Sequence, residues 1–152
     1  MKLRFIWIGK TISAPVRELI EDYVGRVGKF AQVEVTELRD RQGGDRQRII
    51  ETEGEEILAR AGPVYLIVLD ERGRDLDSIK FAKLIEKQRV AGTKQVAFVI
   101  GGRWGLSETV RARADFVVSL SRMTLTHDLA RVFLMEQVYR AFTIIHDLPY
   151  QK

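Results

Sequence analysis

Two nearly continuous apolar runs place the strongest limit on how this chain can fold. They are Val64–Asp70 (VYLIVLD) and Val96–Ile100 (VAFVI), and neither alternates between apolar and polar residues. Such strands have both faces covered, as in the parallel sheets of α/β proteins. Because strands and helices alternate along the chain, the pattern predicts an α/β fold with a mostly parallel sheet and helices on both faces.

The remaining elements follow from periodicity and capping residues. Three further strands are predicted at residues 3–9, 32–38 and 116–120. Helices that begin near a Ser, Asp or Thr cap are predicted at residues 13–29, 45–61, 77–90, 107–114 and 126–145. The polar segments 39–48 and 71–74 are predicted to be loops. With 152 residues and no repeat or linker, the chain is expected to form one domain, 1–152.

Composition narrows the classes of function. There are no cysteines and two histidines, so a dedicated metal site is not expected. No apolar run is long enough to span a bilayer and no signal peptide is recognisable, so a cytoplasmic location is expected. Arginine outnumbers lysine by 17 to 8, which favours phosphate binding. The 21 acidic residues leave open a surface of ordinary salt bridges.

The last predicted helix is apolar on more than one side. The apolar positions that cover it are Leu129, Val132, Phe133, Met135, Val138, Tyr139, Phe142 and Ile145. A helix packed only on its own sheet needs one apolar stripe, so the surplus predicts contact with a second subunit, with deep burial as the alternative. Arg131 and Arg140 interrupt this helix; they could point into a site or pair across an interface, and Glu136 and Arg140 have ion-pair spacing.

Two loops that follow apolar strands could bind a ligand. Residues 101–105 (GGRWG) come after one strand, at the sheet edge where α/β proteins bind ligands, although the glycines could simply form a tight turn. Residues 120–125 (LSRMTL) could surround an adenine ring, or their hydroxyls could only cap the next helix. His127 could have a hydrogen-bond or proton role, or could satisfy backbone groups. Neither loop has the pattern of a dinucleotide site or a P-loop.

Four segments together carry a resemblance to a known family. They are MKLRFIWIGK at the start, EGEEIL, VLDERG, and SLSRMTLTHDLARVFLMEQVYRAFTIIHDLPYQK at the end. Over essentially its whole length the chain resembles the RlmH family of SPOUT-class methyltransferases, which methylate the N3 atom of a pseudouridine in 23S rRNA. The resemblance implies a C-terminal trefoil knot, a homodimer and S-adenosylmethionine as cofactor.

The resemblance also assigns roles to residues. It places the cofactor among Leu69, Gly101, Gly102, Gly105, Leu120, Ser121, Arg122, Met123, Thr124 and Leu125. It implies that the C-terminal tail reaches the cofactor site of the partner subunit. The catalytic residues expected from this are Arg140, Tyr150, Gln151 and Lys152.

Three positions depart from the family pattern. Arg103 and Trp104 stand where the family usually has proline after its two glycines, and Thr126 replaces a proline at the helix start. Gln151 replaces a histidine, and glutamine cannot accept a proton at neutral pH. We expect Arg140 and Lys152 to stabilise the base anion, so that a Gln151→His variant changes turnover little. A binding protein that has lost this activity, a methyltransferase retargeted to another RNA position, and an unrelated α/β nucleotide-binding protein are the alternatives.

Overall fold

The computed structural model describes residues 1–150, in which five strands alternate with five helices. The elements, in chain order, are β1 (Lys2–Ile8), α1 (Ala14–Val27), β2 (Gln32–Leu38), α2 (Arg46–Ala61), β3 (Tyr65–Asp75), α3 (Ser78–Val90), β4 (Gln95–Ile100), α4 (Glu108–Arg113), β5 (Phe116–Ser119) and α5 (His127–Ile145). Within residues 1–150, no helix is both long enough and apolar enough to cross a membrane.

The five strands form one sheet in the order β2-β1-β4-β3-β5, and all of their ladder pairings are parallel. This arrangement confirms the predicted α/β fold. It also brings the carboxyl ends of β3, β4 and β5, which are neighbours in the sheet, to one edge.

Helices cover both faces of the sheet and divide the core in two. Helices α1, α3 and α5 pack on one face, where Phe5, Phe98 and Phe142 are buried. Helices α2 and α4 pack on the other face, around Ile6, Val68 and further aliphatic residues. The central strands are therefore buried on both sides, which explains why β3 and β4 begin as continuous apolar runs.

Strand β3 is longer than predicted, because residues 71–74 belong to it rather than to a loop. The pairing with β5 is interrupted: Leu69 and Arg74 both lie opposite Val118, and the residues between them bulge out. Gly73 lies so close to β5 that an added Cβ would be 2.5 Å from the carbonyl carbon of Val118. The polar sequence of this segment gave no sign of the pairing. The trefoil knot that the resemblance implies stays a prediction.

We predict that Gly73→Ala destabilises the protein by about 1–3 kcal/mol, because the methyl group would overlap backbone that cannot move aside. Gly25→Ala is the matched control. Gly25 lies inside α1 with no heavy atom within 4 Å of an added Cβ, so this change should stabilise by roughly 0.5–1 kcal/mol. Urea unfolding of both variants measures the effects. Equal stability of the two variants would contradict the close approach at Gly73.

Candidate functional site

A cavity opens where β4 and β5 end, beside the bulged middle of β3. Its volume is about 620 Å³, which is within the range of sites for small ligands and cofactors. All ten residues predicted to contact a cofactor line it: Leu69, Gly101, Gly102, Gly105, Leu120, Ser121, Arg122, Met123, Thr124 and Leu125. The strand order explains this convergence. Gly101 and Leu120 directly follow β4 and β5, and Leu69 is the last residue of β3 that pairs with β4.

Residues 102–105 form a tight turn, which was the alternative to a ligand-binding role for the glycines of this loop. The Gly105 N–H donates to the Gly102 carbonyl at 2.9 Å, and Gly105 has a φ of 82°, which side-chain-bearing residues rarely adopt. Side chains at Gly101 or Gly102 would overlap Leu106 or Glu53. These two glycines are therefore required by packing within the protein, while their backbone still faces the cavity.

Residues 120–125 form the opposite wall, and internal hydrogen bonds shape it. The Met123 N–H donates to Ser121 Oγ at 2.9 Å, and Ser119 Oγ donates to the Ser121 carbonyl at 3.1 Å. Thr126 caps α5 by accepting from the Leu129 N–H, so the cap is not a hydroxyl of residues 120–125. Ser121 thus orders the loop through its hydroxyl while the loop backbone lines the cavity.

Charged side chains of both signs surround the mouth of the cavity. Arg111 donates to Asp70 Oδ2 at 3.1 Å and also bonds Glu108. Burial alone would raise the pKa of Asp70, but hydrogen bonds from the Arg72 N–H and the Arg111 guanidinium outweigh it and hold the pKa below its ordinary value. Asp70 is therefore an anion at neutral pH, and the rim can meet both the ammonium and the carboxylate of an amino-acid group.

Glu53 of α2 is a buried carboxylate that sequence reasoning missed. It is 3% exposed, its Oε2 lies against Gly102, and its Oε1 accepts from the Arg41 N–H at 3.4 Å. Burial raises its pKa, while the hydrogen bond from Arg41 opposes this. A signal was available: Ile49, Glu53, Ile57 and Ala61 follow helical i, i+4 spacing, so a carboxylate interrupts an apolar stripe.

Arg131 occupies the interior rather than a site or an interface, the two locations proposed from the sequence. Its side chain is 2% exposed and lies over the Trp7 ring. It donates to the carbonyl oxygens of Ile8 and Gly9 and to the Thr11 hydroxyl, at 2.7, 3.1 and 2.8 Å. It thereby attaches α5 to the chain just beyond β1.

A second cavity of about 250 Å³ adjoins the first beside Arg131. His127 and Arg103 line both cavities. Burial and the nearby charge of Arg131 lower the pKa of His127, so its imidazole is neutral at physiological pH.

We predict that Arg131→Met lowers the free energy of unfolding by about 3 kcal/mol or more, because two carbonyl groups and a hydroxyl lose their buried charged donor. Arg122→Met is the matched control, since Arg122 is exposed and pairs with Asp75 at the surface. It should unfold with the wild-type free energy. The measurement is urea unfolding followed by circular dichroism, and an Arg131→Met variant as stable as the control would refute the assignment.

Arg140 and Tyr150 do not line either cavity. Arg140 pairs with Glu136, as the spacing predicted, and its guanidinium lies 4.8 Å from the centre of the Tyr150 ring. The Tyr150 hydroxyl donates to Glu136 Oε1 at 3.2 Å. Gln151 and Lys152, the other two residues predicted to be catalytic, lie outside the described residues. The structure thus groups the predicted cofactor residues in one place and two predicted catalytic residues in another.

Hydrogen bonding with Tyr23, burial and the charge of Glu136 together raise the pKa of Tyr150. The phenol therefore keeps its proton at neutral pH and acts as a hydrogen-bond donor.

Comparisons with known proteins give consistent matches. A family model described as "Predicted SPOUT methyltransferase" matches residues 1–151. The chain is 44% identical to "Ribosomal RNA large subunit methyltransferase H" of Trichlorobacter lovleyi, over 99% of both chains. It is 45% identical to the protein of the same name from Geobacter sulfurreducens, again over 99% of both chains.

Solved structures show a similar fold at low sequence identity. A "probable methylase family protein" from Haemophilus influenzae has a TM-score of 0.55 at 14% identity, covering 99% of this chain and 70% of that chain. A "probable methyltransferase" from Bordetella pertussis has a TM-score of 0.55 at 15% identity, covering 91% of this chain and 95% of that chain. Within residues 1–150, no group of three or more His, Cys, Asp or Glu side chains is placed to hold a metal ion.

Proposed function

This chain belongs to the SPOUT methyltransferase family, and from that premise we propose that it transfers the methyl group of S-adenosylmethionine to the N3 atom of a pseudouridine in 23S rRNA. One observation carries the proposal. The ten residues that the resemblance assigns to the cofactor converge on a single cavity, in a chain whose full length matches relatives named rRNA large subunit methyltransferase H. Such an activity places the protein with ribosomes, in the cytoplasm.

The cavity has groups that fit each part of the cofactor. Leu69, Leu120 and Leu125 supply apolar surface for a flat ring, and the backbone of residues 120–125 supplies donors and acceptors. Asp70 and Arg111 at the rim can pair with an amino-acid group. When bound, the cofactor supplies an activated methyl group on a sulfonium, and the cavity walls orient it toward the acceptor and exclude water.

The acceptor nitrogen must lose its proton, which in this proposal passes to solvent water, before it attacks the methyl carbon and S-adenosylhomocysteine leaves. Arg140 and Lys152 are the cations proposed to stabilise the resulting anion, and Tyr150 can donate a hydrogen bond because its pKa is raised. Glu136 holds the guanidinium of Arg140 in place through their ion pair. In this scheme Gln151 positions the RNA, which a glutamine can do without acting as a base.

A homodimer would bring these two groups of residues together. Along α5, Arg140 is about 20 Å from the helix start at the cavity, which is too far for its side chain to reach the same site. Leu129 and Phe133 are 55% and 39% exposed and lie on the same helix face as Glu136 and Arg140. We propose that this face binds a second copy, so that the tail of one subunit completes the cavity of its partner.

The activity is tested by incubating the protein with radiolabelled S-adenosylmethionine and ribosomes that lack this modification, with mass spectrometry of rRNA fragments. We expect one methyl group on a pseudouridine of 23S rRNA. Gln151→His should have a kcat within about twofold of the wild-type value, because a residue that positions the RNA needs only to form hydrogen bonds. A large rise in kcat would show that a base is missing. Intact cofactor binding without methyl transfer would refute the proposed activity.

Sedimentation velocity at micromolar concentration tests the assembly. We expect a dimer for the wild-type chain and a monomer for the double variant Leu129→Glu/Phe133→Glu, because two carboxylates cannot be buried unpaired in an interface. Val90→Glu is the control, since Val90 is an exposed apolar residue at the end of α3. A monomeric wild-type protein, or a double variant that stays dimeric, would exclude this interface.

A further inference from the structure

Trp104 is an exposed indole that belongs to neither cluster of the core. The chain has two tryptophans: Trp7 is 1% exposed in the core, whereas Trp104 is 41% exposed in the turn of residues 102–105. Trp104 also lines the mouth of the large cavity. A large aromatic ring held at the entrance of a site offers a flat surface to whatever enters it.

Two arginines from different parts of the chain flank this ring. The guanidinium of Arg46, at the start of α2, lies 5.0 Å from the ring centre, and that of Arg103 lies 6.0 Å from it. Both side chains also line the cavity mouth. Both guanidinium groups lie over the indole as cation–π partners. Because a guanidinium plane can itself stack on a base, the ring and these groups together offer a stacking surface.

The two guanidiniums carry charge that the protein leaves uncompensated. Among residues 1–150, neither Arg46 nor Arg103 forms a salt bridge with a carboxylate, and Arg103 donates only to the neutral amide oxygen of Gln42. By contrast, Arg111 at the same rim is paired with Asp70 and Glu108. The combination of a π surface and two free cations fits a partner that has both flat rings and closely spaced anions.

We infer that Trp104, Arg46 and Arg103 form a stacking platform for an unpaired RNA nucleotide beside the cavity. This inference rests on the proposed function, because it assigns the platform to the RNA substrate of that site. Unpaired bases are bound by stacking on aromatic rings, and their phosphates by arginine. The platform holds a nucleotide near the target base and keeps it unstacked while the target enters the cavity.

Tryptophan fluorescence reports on the platform directly, because Trp7 is buried and gives a constant background. The probe is a short single-stranded oligouridylate, added with S-adenosylhomocysteine at saturation so that the cofactor region is filled. We expect oligouridylate to quench the emission of Trp104. Inorganic polyphosphate, an anion without bases, should not quench it. No quenching by either, or equal quenching by both, would overturn the stacking role.

Substitutions separate stacking from charge. Trp104→Ala should weaken oligouridylate binding, measured by fluorescence anisotropy, by about 5- to 150-fold, the range for loss of one base–aromatic stack. Trp104→Phe should retain most of the affinity. Arg46→Gln and Arg103→Gln should each weaken binding and reduce its salt dependence. Arg89→Gln on α3 is the control for loss of one exposed guanidinium and should bind as the wild type does.

Cofactor affinity and ribosome kinetics complete the test. Calorimetry should give Trp104→Ala the wild-type Kd for S-adenosylmethionine, and its KM for ribosomes should rise with kcat nearly unchanged. If Trp104→Ala loses affinity for the cofactor but still binds RNA, the indole contacts the adenine ring of the cofactor, and the inference is wrong. If the wild-type protein methylates nothing but Trp104 still binds oligouridylate, the proposed activity is wrong and the platform is supported. If the protein methylates ribosomes but substitution of Trp104 has no effect, the activity is supported and the platform is wrong.

Discussion

The buried guanidinium of Arg131 is the interaction on which the arrangement of the site depends. It joins the first turn of α5 to the chain that leaves β1, through the carbonyl groups of Ile8 and Gly9 and the hydroxyl of Thr11. Thr11 in turn donates to Glu37 at the end of β2. Because α5 begins four residues before Arg131, fixing this arginine fixes where the loop of residues 120–126 ends. The hydrogen bonds of Arg131 therefore help to hold the cavity wall formed by residues 120–125.

The same helix has two different tasks along its length. Its first turn closes the cavity wall, whereas its second half carries Glu136 and Arg140, which bind Tyr150 of the chain end. Leu134, Met135 and Val138 bury the middle of the helix in the core, which fixes the distance and orientation between its two ends. A rigid rod between the cavity wall and the cluster of Glu136, Arg140 and Tyr150 fits the proposed site that two copies of the chain would share.

Much of this fold was accessible from the sequence, because apolar runs and caps define the strands and helices and parallel strands bring their carboxyl ends together. That convergence placed Leu69, Gly101 and Leu120 in one cavity. The extension of β3 through Gly73 was not accessible, since those residues are polar and pair only through their contact with β5. The roles of Glu53 and Arg131 could not be predicted either, because the sequence does not show which buried groups a single charged residue on a helix will contact. The trefoil knot is a prediction that rests on the resemblance alone.

The double pairing of β3 with Val118 has a consequence for the order in which the molecule forms. Residues 65–69 pair with β4, whereas residues 67–69, 74 and 75 pair with β5, which lies more than forty residues further on. Contacts between distant segments form slowly, because the intervening chain must first be ordered. The cavity uses the ends of β3, β4 and β5 and the loop after β5. A chain emerging during synthesis therefore has no partial version of this cavity, which is complete only after the loop of residues 120–125 has been made.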